Sequence, residues 1–210
     1  MAEYSEKQVQ IMETAETLFA EKGFNGTSVR DIAEKANVNL AMISYYFGSK
    51  DKLLEALFTY RGEYIKLKLE KMIENKEMGS LEKIYLLIDH YIDKITSQQS
   101  FHRIMAREQV LTHTGTTAEL ILQMKKRNHE LISRLIHEGQ KKGEFRKNID
   151  IPLMMTTLIG TTSNLVTTQY YYRVINNLQA MPDEEFQKHI KKKLGQHLKK
   201  LFKAILTHEE

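Results

Sequence analysis

The amino-acid sequence predicts an all-α protein, with an N-terminal three-helix head on a larger helical body and about nine helices in total. Two observations predict this fold class. Only 2 prolines and 10 glycines interrupt 210 residues, too few for an all-β sandwich with a turn in about every ten residues. Apolar residues also recur at intervals of three and four along most of the chain, which is the period of a helix with one buried face.

Polar capping residues divide the first part of the chain into three short helices and the start of a long one. Ser5 with Gln8, and Ser28 with Asp31, have the spacing of capping boxes. The first predicted helix begins at Ser5 and ends at Gly23, and the second covers 29–35. After a turn at Asn37 and Val38, Asn39 caps a third helix over 40–46. Ser49 caps the fourth, which covers about 50–76.

Five further helices follow from the same signals. Thr116 with Glu119 forms another capping-box pair, and Asp150 precedes Pro152, which is tolerated in a first helical turn. The predicted helices lie after the break at Gly79 and Ser80, in a brief stretch around 101–105, from 116 to the stop at Gly143, over about 151–176, and from Pro182 to about 207.

The composition excludes several classes of protein. Hydrophobic residues make up 41% and charged residues 28% of the chain, as in globular domains, which excludes wholesale disorder and fibrous repeats. The absence of cysteine excludes disulfides, thiolate metal sites and cysteine nucleophiles, and favours a reducing, cytoplasmic location. The first ten residues lack the pattern of a signal peptide, so we expect none.

The charge distribution argues against bulk electrostatic binding by the N-terminal region. The net charge of +4 weakly indicates a polyanionic partner. Residues 1–50, however, contain five Lys or Arg against seven Asp or Glu, a net charge of −2. If this region binds nucleic acid, individually placed contacts must supply the affinity.

Residues 151–172 contain no charged side chain. Their six threonines, together with Ser163, Asn164 and Gln169, make the segment too polar for a lipid-facing helix. Two interpretations remain open. The segment is either a core helix of the body, or a helix buried on two sides by the body and by a second subunit, which Gly160 would allow to approach closely.

The order of short motifs between residues 23 and 57 resembles the N-terminal region of the TetR family of transcriptional regulators. The resemblance covers about a fifth of the chain. Asn37 stands where the family usually has glycine, although asparagine also tolerates a left-handed turn. Ser44 replaces a frequent tyrosine that often reaches a phosphate. The matching places are Gly23-Phe24, Thr27-Ser28, Ile32-Ala33, Ala36-Asn37-Val38, Tyr45-Tyr46-Phe47 and Ser49-Lys50-Asp51-Lys52-Leu53.

The resemblance implies a domain organisation and a function. Residues 1–48 would be the DNA-binding domain, with a helix-turn-helix over about 28–47, and residues 49–210 a helical ligand-binding and dimerisation domain. The chain would be a ligand-responsive, sequence-specific regulator and not an enzyme. It would act as a repressor that binds a palindromic double-stranded DNA operator as a homodimer, through the helices at about 151–176 and 183–207. A small-molecule effector would release it, and neither a cofactor nor a membrane is implied.

Ten residues of the head are candidate DNA contacts. Lys50, at a helix N-terminus, would donate to a phosphate. The apolar side chains of Leu40 and Met42 suit thymine methyl groups. For each residue the alternative is a cap, a packing role or simple solvation. The full set is Ser28, Arg30, Asn39, Leu40, Ala41, Met42, Ser44, Tyr45, Tyr46 and Lys50.

Eight residues of the body are candidates for an effector cavity, because aromatic and methionine side chains form adaptable apolar walls. The alternative for each of them is an ordinary place in the core. The set is Tyr64, Tyr91, Phe101, Met105, Met124, Asn128, Met155 and Thr162.

Other chemistries find little support in the sequence. Five histidines lack the spacing of an HExxH metal motif, and we expect no metal site; they are His90, His102, His113, His129 and His137. No phosphate-binding loop or nucleophile elbow occurs, and the lysines between 188 and 203 suit a solvated helix face. The alternative function is a helical dimer that binds a small molecule or a protein, and whose head has lost specific DNA binding.

Overall fold

The chain is helical, without strands, over the residues that the structure, a computed structural model, describes: 4–111 and 115–207. Within these ranges the side chains of Tyr64, Ile65, Gln109, Leu111 and Thr116 are not described. The all-α prediction is confirmed. The helices are α1 (Glu6–Lys22), α2 (Val29–Lys35), α3 (Leu40–Phe47), α4 (Lys50–Glu74), α5 (Ser80–Ser97), α6 (Gln99–Leu111), α7 (Thr116–Lys141), α8 (Ile151–Thr167), α9 (Gln169–Ile175) and α10 (Asp183–Leu206).

The described residues form ten helices instead of about nine, because the helix predicted over 151–176 is interrupted at Thr168. Both the backbone N–H and the hydroxyl of Thr168 donate to the carbonyl of Asn164, at 2.9 and 2.8 Å. The side-chain amide of Gln169 donates to the carbonyl of Val166 at 3.0 Å. Such side-chain bonds to the preceding turn compete with the helical ladder and bend helices, so α8 ends and α9 begins here.

Two compact units make up the chain: Met1–Leu67 with Gln98–Arg127, and Lys68–Ser97 with Asn128–Glu210. In the first unit, α1 packs against α2 and α6, and α2 packs against α3. Phe19, Ile32 and Ile43 are buried together in one apolar cluster. An ion pair of 2.7 Å between Arg61 Nε of α4 and the carboxylate of Glu16 of α1 borders this core.

In the second unit, α5 packs against α8 and α10. Lys199 of α10 lies 2.6 Å from the carboxylate of Asp89 of α5, and Lys191 lies 2.9 Å from that of Asp93. The prediction that the lysines of 188–203 form a solvated face is therefore wrong for these two, which pair with α5. None of the described helices has the length and the hydropathy that crossing a membrane requires.

The caps predicted at five residues form as expected: Ser5, Ser28, Asn39, Ser49 and Asp150. Thr116, predicted as a further cap, is instead the first residue of α7, and its side chain lies outside the described residues. Ser5 and Ser28 each complete a capping box, and the side chains of Asn39 and Asp150 accept from the backbone N–H groups of Ala41 and Leu153. These contacts satisfy backbone donors that a helix leaves without a partner in its first turn.

Replacing Asp150 by alanine should destabilise the protein by about 1 kcal/mol, because the backbone N–H of Leu153 then loses its acceptor at 2.9 Å. Asp150→Asn, which keeps a side-chain oxygen at the N-cap, should lower the free energy of unfolding much less. Urea unfolding followed by circular dichroism measures both. Equal losses in the two variants would contradict the capping role of this side chain.

Candidate DNA-binding surface

The turn between α2 and α3 is held by local hydrogen bonds and by one distant side chain. Asn37 adopts a positive φ of 50°, which asparagine tolerates, and the N–H of Val38 closes the turn on the carbonyl of Ala33 at 3.0 Å. Gln10 of α1 donates through Nε2 to the carbonyl of Ala36 at 2.9 Å. No local pattern indicates a role for Gln10, because this contact joins residues 26 positions apart.

Helix α3 has one face in the core and one in solvent. Ile43 and Phe47 are buried in the apolar cluster of the first unit. The residues exposed on the other face are Leu40, Ala41, Ser44 and Tyr45, with Leu40 42% and Tyr45 83% exposed. Helix α3 therefore presents a row of predicted DNA contacts outward and is fixed from behind by packing. Met42 and Tyr46 are half-buried, and Tyr46 packs edge-on against Tyr45, with ring centroids 5.2 Å apart.

At the start of α2, the hydroxyl of Ser28 is fully engaged in the cap. It accepts from the backbone N–H of Asp31 at 3.1 Å and donates to the carboxylate of Asp31 at 2.7 Å. A phosphate contact through this hydroxyl would have to replace its bond to Asp31. The neighbouring side chain, Arg30, is exposed and is the one guanidinium between residues 28 and 47 of the sequence.

The ammonium of Lys50, at the first residue of α4, anchors the loop before α2. Its Nζ donates to the backbone carbonyls of Phe24 and Thr27, both at 2.9 Å. It also lies 4.3 Å from the centroid of the Phe24 ring, where a cation is attracted by the aromatic face. Lys50 thus connects α4 to the residues immediately before the Ser28 cap, and one of its three N–H donors stays available for a phosphate.

Hydrogen bonds from the side chain and the backbone of Ser28 lower the pKa of Asp31 below its ordinary value of 3.8. Because folding lowers this pKa, the stabilisation by Asp31 is complete above about pH 4 and is lost as the pH falls through the native pKa. In a plot of the unfolding temperature against pH, Asp31→Asn should therefore reduce the slope at acid pH and leave the slope near neutral pH almost unchanged. Thermal unfolding from pH 7 to 2.5 tests this; an unchanged acid slope would contradict it.

The predicted effector residues fall into both compact units. Phe101 and Met124 belong to the core cluster of the first unit, and Met105 packs against that cluster. Phe101 stacks edge-on with Phe58, at a centroid distance of 4.9 Å. The side chain of Tyr64 lies outside the described residues. These positions fit the core interpretation, and an effector role for them stays a prediction.

The remaining predicted effector residues belong to the second unit, where Tyr91 and Asn128 form a polar pair. Burial raises the pKa of Tyr91 to about 12, and a hydrogen bond from Asn128 partly offsets this. Asn128 Oδ1 is buried and has no hydrogen-bond partner among the described atoms. Met155 and Thr162 are buried on α8, where the Thr162 hydroxyl donates to the carbonyl of Leu158 at 2.8 Å.

Metal ligands do not cluster in the part of the chain that the structure describes: no group of three or more histidine and acidic side chains could hold an ion there. His113 lies outside the described residues.

Comparison with known families gives two matches, one near the N-terminus and one over most of the rest of the helical chain. Residues 11–57 match the family described as "Bacterial regulatory proteins, tetR family", and residues 81–196 match "Tetracyclin repressor-like, C-terminal domain". The probable HTH-type transcriptional regulator YttP of Bacillus subtilis (strain 168) is 34% identical over 139 residues, which are 65% of this chain and 66% of that protein.

Solved structures show the same fold. The ketosteroid transcriptional regulator KstR2 of Mycobacterium tuberculosis superposes with a TM-score of 0.71 at 19% identity, over 99% of this chain and 98% of that one. The transcriptional regulator FadR of Bacillus subtilis, solved in complex with stearoyl-CoA, superposes with a TM-score of 0.66 at 22% identity, over 90% and 96%. The two family matches show that this chain belongs to the tetR family of bacterial regulatory proteins, transcriptional regulators with a helix-turn-helix DNA-binding domain.

Proposed function

We propose that this chain is a repressor that binds a palindromic operator as a homodimer and is released by a small-molecule effector. Residues 1–48 serve as the DNA-binding domain, and residues 49–210 bind the effector and dimerise. The protein acts in the cytoplasm, where the operator is, and has no enzymatic activity. The observation that carries the proposal is the solvent face of α3, fixed from behind by Ile43 and Phe47.

The DNA-binding step uses the predicted contacts of the head. Helix α3 enters the major groove with its N-terminal residues at the base edges, as in other helix-turn-helix proteins. Arg30 and Lys50 present positive charge to the phosphate backbone of the DNA, although residues 1–50 as a whole have a net charge of −2. Because bulk attraction is weak there, binding depends on these placed contacts.

Exposed uncharged surface on α8 and α9 supports dimerisation through these helices. Thr156, Gly160 and Asn164 of α8 are exposed and leave room for another helix to approach. Tyr170 and Tyr171 of α9 are 79% and 66% exposed, which is unusual for side chains of this size unless a partner covers them. A dimer would place two α3 helices about 34 Å apart, one DNA turn, as a palindromic operator requires.

The effector contacts the buried polar pair of the second unit. Asn128 Oδ1 is buried without a partner among the described atoms, and a buried acceptor in this state favours a ligand that donates a hydrogen bond. The effector releases DNA only if it binds the DNA-free conformation more tightly.

Selection of bound duplexes from a random DNA library, with purified protein at low and moderate salt, tests this function. A palindromic enriched site is expected, with half-sites about one helical turn apart. Enrichment of no site, with binding that disappears as salt rises, would show that the head binds only phosphates. That result would favour the alternative of a helical dimer without specific DNA binding.

A further inference from the structure

The outward face of the recognition helix carries no ionic group and no amide. Its exposed side chains, Leu40, Ala41, Ser44 and Tyr45, offer only methyl groups, an aromatic ring and two hydroxyls. All charged residues between positions 28 and 47 are in the α2 segment, ahead of α3; they are Arg30, Asp31, Glu34 and Lys35. Any base contact by α3 must therefore be made with apolar groups or hydroxyls.

The amide closest to this face is already occupied. Asn39 caps α3, and its Oδ1 accepts from the backbone N–H of Ala41 at 2.9 Å. Recognition of adenine by asparagine needs the side-chain oxygen and the amide nitrogen together. Reading a base in that way would break the cap of α3. Asn39 therefore stabilises the helix, and the residues that follow it contact the bases.

The major groove offers one base whose recognition suits such a surface. Guanine is read by Arg or Lys, adenine by Asn or Gln, and cytosine by Asp or Glu, whereas thymine presents a methyl group that apolar side chains contact. Leu40 is the first residue of α3 and is 42% exposed. Its neighbour Ala41 is small enough to let the helix backbone approach the bases.

We propose that α3 reads thymine methyl groups, so that the core of each operator half-site consists of A·T pairs whose thymines face Leu40 and Ala41. This inference rests on the proposed function, because it requires the head to bind specific DNA. Buried Ile43 holds the helix from behind and fixes which side of it meets the groove. Arg30 lies outside α3 and adds its contact beside this core.

Replacing single thymines by deoxyuridine in the selected operator tests the proposal, because this change removes only the C5 methyl group. Each core thymine so changed should weaken binding about fourfold, the value of burying one methyl group. At the thymine that Leu40 contacts, the same substitution should have no effect on the affinity of the Leu40→Ala variant, since its partner is gone, whereas a thymine that faces Ala41 should keep its sensitivity. Leu122→Ala is the matched control, because Leu122 is an exposed leucine (52%) on α7 and should keep the full sensitivity.

The outcomes separate this inference from the proposed function. Specific, palindromic binding without sensitivity to deoxyuridine, or a core of G·C pairs, would overturn the thymine proposal and leave the regulator intact. Undiminished sensitivity of every core thymine in Leu40→Ala would also overturn it, since another group would then contact the methyl assigned to Leu40. Failure to select any site would overturn both proposals together.

Discussion

Replacing Lys83 by alanine should destabilise the second unit by about 3 kcal/mol. Lys83 is on α5 and is fully buried, with 0% of its surface exposed. Its Nζ donates to the carbonyl of Ile73, in the last turn of α4, at 3.1 Å and lies 3.4 Å from the carboxylate of Glu138. Alanine would remove these bonds, leave the Ile73 carbonyl without its donor and open a cavity the size of the lost side chain.

Two variants distinguish the buried lysine from a surface ion pair. Lys142 also contacts Glu138, at 2.7 Å, but is exposed, so water and salt screen this pair and Lys142→Ala should cost far less stability than Lys83→Ala. Lys83→Met keeps the volume of the side chain and loses only its polar contacts. Its decrease in the free energy of unfolding should therefore lie between those of the other two variants. Because the chain has no tryptophan, urea unfolding is best followed by circular dichroism.

A loss of stability in Lys83→Ala as small as that in Lys142→Ala would contradict the structural role of the buried ammonium.

The dependence of stability on the titration of Glu138 gives a second check. Its hydrogen bond to Lys142, and then the charge of Lys83, lower its pKa below the ordinary 4.5. The stabilisation from this carboxylate is therefore complete at neutral pH and is lost as the pH falls through its native pKa, and each lysine variant should reduce that dependence.

The parts of the fold that depend on local chemistry could be predicted from the sequence. The caps at Ser5, Ser28, Asn39 and Asp150 each form between residues at most three positions apart. Their hydrogen bonds use side-chain types that favour helix starts in any context. The boundaries of α2 and the positive φ of Asn37 also follow from local preferences.

The long-range contacts could not be predicted in this way. Lys83 looks like any lysine of an amphipathic helix, and only the folded chain brings it to Ile73 and Glu138. The break at Thr168 is local but was also missed, because side-chain bonds to the preceding turn compete there with a helical pattern that continues to about residue 176. The carbonyl contacts of Lys50 join residues 23 and 26 positions apart, and no periodicity indicates them.

Replacing Lys50 by alanine should weaken operator binding by about tenfold or more, the second large effect that we expect. Two causes act together. The variant loses a charged donor at the N-terminus of α4, where a phosphate would be bound. It also loses the bonds to the carbonyls of Phe24 and Thr27, which hold the loop ahead of the Ser28 cap.

The salt dependence of binding separates these two causes. If Lys50 neutralises a phosphate, the slope of log affinity against log salt should fall by about 1, and the loss should be uniform across operator sequences. If it acts only through the loop, the affinity falls and the slope stays unchanged. Lys52→Ala is the matched control, because Lys52 is exposed and its ammonium pairs with Glu55 at 2.7 Å. Equal losses in the two variants would mean that only net charge matters, and would remove Lys50 from the set of placed contacts.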